Sequence, residues 1–143
     1  MFSYNPHPLL SSFPFVICLI IFITEIVNFY CNDSYKKTTL YLLILFFIFT
    51  IITFISGYIG AEYANLSFKV PLELIEKHEL YARIFILSLI PIVLFYYLLT
   101  SSDKIYLKTR IAFSLLLLLI ISFVSYHGAQ LVYSYGAGVE LVK

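Results

Sequence analysis

The fold is decided by the stretch from Arg110 to Gln130, which reads RIAFSLLLLLIISFVSYHGAQ. After Arg110, the first side chain in this stretch that can carry a charge near neutral pH is His127. An α-helix rises about 1.5 Å per residue, so about 20 such residues cross the roughly 30 Å hydrocarbon core of a bilayer. In lipid, an irregular segment would leave its backbone groups without hydrogen bonds. The stretch therefore predicts a transmembrane helix.

Three further apolar runs of similar length precede this one. Together they predict four helices, at about 8–30, 38–64, 78–99 and 109–135. The first two helices are joined by a short connection, and so are the last two, which predicts two antiparallel hairpins. The sequence thus predicts an all-α integral membrane protein, an antiparallel four-helix bundle that forms a single domain over residues 1–143.

The composition supports this fold class and excludes others. Of 143 residues, 62% are hydrophobic and only 12% are charged, too few charges to cover the surface of a soluble domain. Membrane lipid is therefore the first expected partner. A net charge of +1 gives no basis for nucleic-acid binding. The sequence contains no Ser-His-Asp set, phosphate-binding loop or Cys-x-x-Cys pattern, so nothing indicates an enzyme acting on its own.

Basic residues are concentrated in the connections at 31–37 and 100–109, whereas the other side of the membrane has more acidic than basic residues. The positive-inside rule then places these two connections in the cytoplasm. Both termini are expected on the outer, periplasmic side of a bacterial or mitochondrial inner membrane. The basic residues on the cytoplasmic side are Lys36, Lys37, Lys104, Lys108 and Arg110.

All three histidines and all five glycines fall at the outer end of the predicted bundle. Counting helix rise, His78 lies about 33 Å above Thr100 and His127 about 27 Å above Thr109. The two imidazoles are thus expected at similar depth on adjacent helices, as two axial ligands of one haem b would be. We expect His127 to be a ligand because an ionisable residue inside an apolar span is costly and usually functional. His78 is its expected partner, and His7 is the alternative.

Other residues of this end complete the predicted haem site. Gly57, Gly60 and Gly128 would leave room for a flat macrocycle against the helix backbones, and Arg83 could face a propionate. Second-shell hydrogen bonds are expected from Tyr81, Tyr126 and Gln130.

A simpler interpretation exists for each feature. Small residues at spacings of three and four also let helices pack closely in lipid without any cofactor. His78 lies in a charged run, and His7 precedes a proline at the membrane interface, so both could simply be solvated.

Two segments resemble a family of small bacterial four-helix inner-membrane proteins that has no assigned function. They are HPLLSSFP at 7–14 and HGAQLVYSYGAGV at 127–139. The usual family pattern starts with His-Pro-x-x-x-His-Phe-Pro and ends with Gly-Gly-x-Leu-Val-Tyr-x-x-Gly-x-Gly-Val, and this chain has Ser12 and Ala129 in place of the second histidine and the second glycine. Some relatives are fused to c-type cytochromes, which implies a role in membrane electron transfer beside a c-type cytochrome.

These observations favour a b-type haem-binding electron-transfer subunit of a larger respiratory complex. The alternative is a haem-free structural or accessory subunit that packs against other membrane subunits. A small transporter or quinone-binding protein that uses Glu25 or Glu62 is a third hypothesis.

Overall fold

A computed structural model describes residues 6–101 and 106–137, apart from the side chains of Tyr63, Thr100 and Ser101. Lys104 and the motif positions Gly138 and Val139 lie outside these ranges. The described residues form helices and short turns and contain no strand. The helices are α1 (His7–Leu10), α2 (Ser12–Tyr30), α3 (Lys36–Phe68), α4 (Leu72–Ser101) and α5 (Leu107–Tyr135).

Four segments of the described chain are long and apolar enough to cross a membrane. The first combines α1 and α2, which are separated only by a turn at Ser11. The prediction of an all-α membrane bundle with four spans is therefore confirmed. The spans are His7–Tyr30, Lys36–Glu62, Leu72–Leu99 and Leu107–Tyr135.

The third span begins earlier than the sequence predicted. We expected a helix from about 78, but α4 starts at Leu72 and runs to Ser101. Pro71 directly precedes the helix, where a proline costs no helical hydrogen bond. Helix α3 also runs further than expected, to Phe68, and stops where Lys69 adopts a left-handed conformation with φ 53°. His78 therefore lies inside a helix and does not begin one.

The helices pack as a square. Helix α2 contacts α3 and α5, and α4 contacts the same two helices. Helices α2 and α4 therefore lie on one diagonal, and α3 and α5 lie on the other. The short helix α1 extends α2 at its N-terminal end and packs mainly against α3.

The middle of the bundle is a continuous apolar layer, and fully buried side chains from all four long helices meet there. Many large hydrophobic side chains also point outward, as expected for helices surrounded by lipid. This layer separates a polar cluster at one end of the bundle from a cavity at the other. Its most buried members are Cys18, Ile21, Phe46, Leu89 and Tyr96 and, with 2% exposure, Leu43 and Leu117.

A second small apolar cluster closes the bundle beyond the cavity. Ala64 of α3, Val70 of the connection and Ile75 of α4 are buried there against Ala137. Ala137 reaches this position because α5 ends at Gly136, whose φ of 69° is accessible to glycine at little cost.

Candidate functional site

The half of the bundle that contains His7 and His78 has a partly open cavity of about 390 Å³. This volume lies within the range of pockets that hold small molecules and cofactors, about 300–1,000 Å³. Most of the lining is apolar, and His7 and His78 supply its imidazole groups. Gly57, Gly60 and Gly128, the glycines of the predicted haem site, also line the cavity.

His7 enters the cavity from α1 and is held by α3. Its Nδ1 atom lies 3.1 Å from the carbonyl oxygen of Thr53 and 3.0 Å from Oγ of Ser56. A carbonyl can only accept, so the hydrogen bond to Thr53 places the ring proton on Nδ1 and the lone pair on Nε2. The Thr53 hydroxyl in turn donates to the carbonyl of Leu10 at 3.1 Å, which fastens α1 to α3.

His78 enters from α4 and packs against α5. Its ring interacts with the backbone carbonyl of Val124, but Nδ1 is buried and has no partner in hydrogen-bond geometry within the described ranges. The ring lies directly over Gly128. A buried ring nitrogen without a good partner is uncommon and indicates either strain or a function.

The two imidazoles face each other across the bundle. Their ring centroids are 6.3 Å apart, and the ring planes are inclined by 60°. Each ring rests on a glycine four residues after the carbonyl that it contacts. Those pairs are Thr53 with Gly57 and Val124 with Gly128. The two hairpins thus contribute similar histidine–glycine units, with the histidines on the α2–α4 diagonal and the glycines on the α3–α5 diagonal.

The glycines are required by this packing. A Cβ atom on Gly57 would lie 2.8 Å from Cε1 of His7, and one on Gly128 would lie 2.9 Å from Cε1 of His78. Real Cβ atoms essentially never approach a carbon so closely, so any larger residue would force the ring to move.

His127 lies on a different face of α5. It does not line the cavity but packs in an aromatic cluster, with ring centroids 4.8 Å from Tyr81, 4.7 Å from Phe123 and 5.6 Å from Tyr126. Successive helical residues are rotated by about 100°, so when Gly128 faces His78, the preceding residue must point elsewhere. Depth along the helix was predictable, but the direction of the side chain was not. The structure therefore pairs His78 with His7, the alternative ligand of the sequence prediction.

The remaining predicted residues surround the cavity without lining it. Arg83 is mostly exposed and forms an ion pair with Glu79, one turn earlier on α4. Gln130 donates a hydrogen bond of 3.1 Å to the hydroxyl of Tyr126, on the side of α5 where His127 packs. Of the charged residues in this region, Glu79 does line the cavity.

A second polar cluster at the opposite end of the bundle was not recognised from the sequence. Arg110 of α5 is 1% exposed and donates to both carboxylate oxygens of Asp33, at 2.9 and 3.0 Å, and to Glu25 Oε1 at 2.9 Å. Glu25 is fully buried, and so is Tyr96, which interacts with both Glu25 and Arg110. Arg110 was counted as a loop charge, yet its position at the first turn of an apolar span, level with Glu25, was the available signal.

The four spans and the polar groups enclosed between them define a multi-pass α-helical membrane protein. Residues 4–141 match the family described as predicted membrane protein (DUF2231), and the chain belongs to that family. No curated protein and no solved structure matches the chain. The expected resemblance to a family of membrane proteins is thus confirmed at this level.

Proposed function

We propose that this protein is a b-type haem-binding electron-transfer subunit of a membrane complex, with His7 and His78 as the axial ligands. The observation that carries this function is the pair of imidazoles, 6.3 Å apart, across a cavity with glycine in its wall. Haem iron is commonly held by histidine.

The number of protein ligands favours haem over a bare metal ion. Among the described residues, no group of three or more His, Cys, Asp or Glu side chains could hold a metal. Structural zinc sites need four protein ligands and catalytic ones usually three. A porphyrin supplies the four equatorial nitrogens itself, so two histidines complete the coordination of its iron.

The distance between the two imidazole rings and the position of the ring proton on His7 are also compatible with haem ligation. Metal–imidazole bonds are about 2.0–2.1 Å long for zinc, so two nitrogens on one metal are about 4 Å apart and their ring centres lie further back. The observed 6.3 Å between centroids is compatible with that arrangement. The hydrogen bond from Nδ1 to Thr53 leaves the lone pair on Nε2, the nitrogen nearer the end of the side chain.

When bound, haem supplies one-electron transfer at its iron. The chain would contribute the two ligands, a largely apolar lining, and the hydrogen bond that orients His7. The resemblance to proteins fused with c-type cytochromes supports a c-type cytochrome as the redox partner in a respiratory complex. We further propose that the cavity and both termini face the outer side of an inner membrane, because the first turns of α3 and α5, at the opposite end of the bundle, carry the basic residues Lys36, Lys37 and Lys108.

The absorption spectrum of the full chain, purified gently in detergent from haem-replete cells, tests this function. We expect the sharp reduced-state bands of a six-coordinate low-spin b haem. His7→Ala and His78→Ala should each abolish those bands or convert them to high-spin bands, and His127→Ala should leave them unchanged.

Two results would contradict parts of this scheme. Loss of the bands in His127→Ala but not in His7→Ala would restore the pairing of His78 with His127. If no haem absorption is found in the wild type, haem binding is excluded.

A haem-free accessory subunit is the second candidate. The contacts that already engage two of the histidines favour it, because His7 bonds to Thr53 and Ser56, and His127 packs among aromatic rings. Histidines in such contacts can serve packing alone. In that case, the purified protein would be colourless, and His7→Ala would change its stability and nothing else.

A further inference from the structure

We infer that the two imidazoles are unequal ligands: His7 is permanent, and the His78 position is exchangeable, so that a small neutral molecule such as carbon monoxide can bind there. This inference rests on the proposed haem function. It adds a second activity, the binding of a small ligand, to a site otherwise described as one for electron transfer.

The His7 side is braced by hydrogen bonds. Nδ1 of His7 bonds to the Thr53 carbonyl, and Ser56 Oγ lies 3.0 Å from the same nitrogen while donating to that carbonyl at 2.8 Å. A hydrogen bond from the second nitrogen of a ligating histidine fixes the ring orientation and strengthens the nitrogen as a ligand. The hydroxyl of Thr53 also holds Leu10, so the helix that carries His7 is fastened to the residue that orients the ring.

The His78 side lacks this brace. Its Nδ1 is buried without a partner in hydrogen-bond geometry, as far as the described residues show. Rotation of His78 away from the site would give up only its interaction with the Val124 carbonyl and its contact with Gly128, whereas rotation of His7 breaks the bonds to Thr53 and Ser56.

The surroundings of His78 define the class of ligand. The cavity that His78 lines also includes small residues, among them Ala82, Ser125 and Ala129. Most of the cavity wall is apolar, and the acidic group that lines it is Glu79. A negative ligand would lose hydration and meet a carboxylate, so a neutral diatomic molecule fits better.

The test uses haem-loaded full-length protein in detergent, reduced with dithionite and titrated with carbon monoxide. We expect the wild type to bind carbon monoxide with a shift of its visible bands. His78→Gly should keep its haem, bind carbon monoxide about tenfold or more tightly, and give the same adduct spectrum as the wild type. His7→Gly should lose haem during size-exclusion chromatography.

Two controls separate ligation from misfolding. Free imidazole added to His78→Gly should restore the six-coordinate spectrum, which requires an intact site. Ser56→Ala should weaken haem retention, because it removes part of the brace on His7 without touching either ligand.

Three results would overturn the inference. The first is a wild-type spectrum that does not change at saturating carbon monoxide. The second is that His7→Gly keeps its haem while His78→Gly loses it. The third is an adduct spectrum that differs between the wild type and His78→Gly. Absence of haem from the wild type would instead overturn the proposed function, and the exchangeable ligand with it.

Discussion

At the scale of single residues, the packing of the two imidazoles depends on two glycines, which have no side chain. Gly128 and Gly57 lie in helix interiors, where glycine is less stable than alanine by about 0.5–1 kcal/mol. Glycine is favoured at such a position only where a Cβ atom would destabilise the protein by more than this amount. Here, a Cβ atom would lie less than 3 Å from an imidazole ring on the neighbouring helix.

We expect Gly128→Ala to reduce haem retention while changing thermal stability little. Displacing the His78 ring lowers the free energy of unfolding by about 1–3 kcal/mol, as overpacking does. The higher helix propensity of alanine offsets up to about 1 kcal/mol of this loss. The haem-to-protein ratio after purification and the unfolding midpoint in detergent measure the two effects separately.

Leu119→Ala is the matched control on the same helix, because Leu119 is mostly exposed and faces away from the cavity. Ser114, which sequence alone would suggest as a neutral position, is fully buried and unsuitable. If Gly128→Ala binds as much haem as Leu119→Ala, the ring of His78 does not depend on Gly128.

The residues of the site show which of its features could be predicted from the sequence and which could not. The apolar runs and the co-location of the histidines predicted which end of the bundle carries the site. They could not predict that His7 and not His127 would meet His78, because facing depends on the rotation of each helix about its axis. That rotation is set by packing against the neighbouring helices, which no single helix sequence encodes.

At the scale of helices, buried ion pairs join the helices at the end of the bundle opposite the cavity. Arg110 of α5 joins Glu25 of α2 and Asp33 of the following turn, where Asn32 and Asp33 both have positive φ. Asn28 adds two hydrogen bonds to the same turn, from Tyr35 N at 2.8 Å and to Thr39 Oγ1 at 3.2 Å. This end of the α2–α3 hairpin is therefore tied to the first turn of α5.

We expect Arg110→Met to destabilise the protein by about 3–5 kcal/mol, because it leaves the buried carboxylate of Glu25 without its counter-charge. The double variant Arg110→Met/Glu25→Leu should recover most of the loss, since replacing a buried ion pair by apolar side chains is often neutral. Thermal unfolding in one detergent measures all three proteins.

Lys108→Met is the control, because Lys108 is exposed two residues before Arg110. Equal unfolding midpoints for Arg110→Met and Lys108→Met would show that the ion pair contributes nothing to stability.

At the scale of the whole molecule, the number of spans and their antiparallel order followed from hydropathy and connection length. The orientation of the bundle in the membrane is a prediction from charge alone. Cys31 makes it measurable, because this native thiol is exposed at the end where the basic residues lie, whereas Cys18 is buried in the core.

A membrane-impermeant maleimide applied to intact cells or right-side-out vesicles should not label Cys31, and should label it after permeabilisation. In a Cys31→Ser background, Ser67→Cys at the opposite end should be labelled without permeabilisation. The reverse pattern would invert the orientation and leave the fold unchanged.

The two histidine–glycine units have a consequence for how the protein is made. His7 and Gly57 both belong to the N-terminal hairpin, and His78 and Gly128 both belong to the C-terminal one. Helical hairpins can insert into a membrane before they dock, as the two-stage view of membrane folding holds. Each newly inserted hairpin then carries one imidazole on its own glycine, and a ligand that needs both is captured only when the hairpins meet. Under the proposed function, haem would therefore bind only after both hairpins have inserted and docked, since one hairpin alone supplies only one of the two histidine ligands.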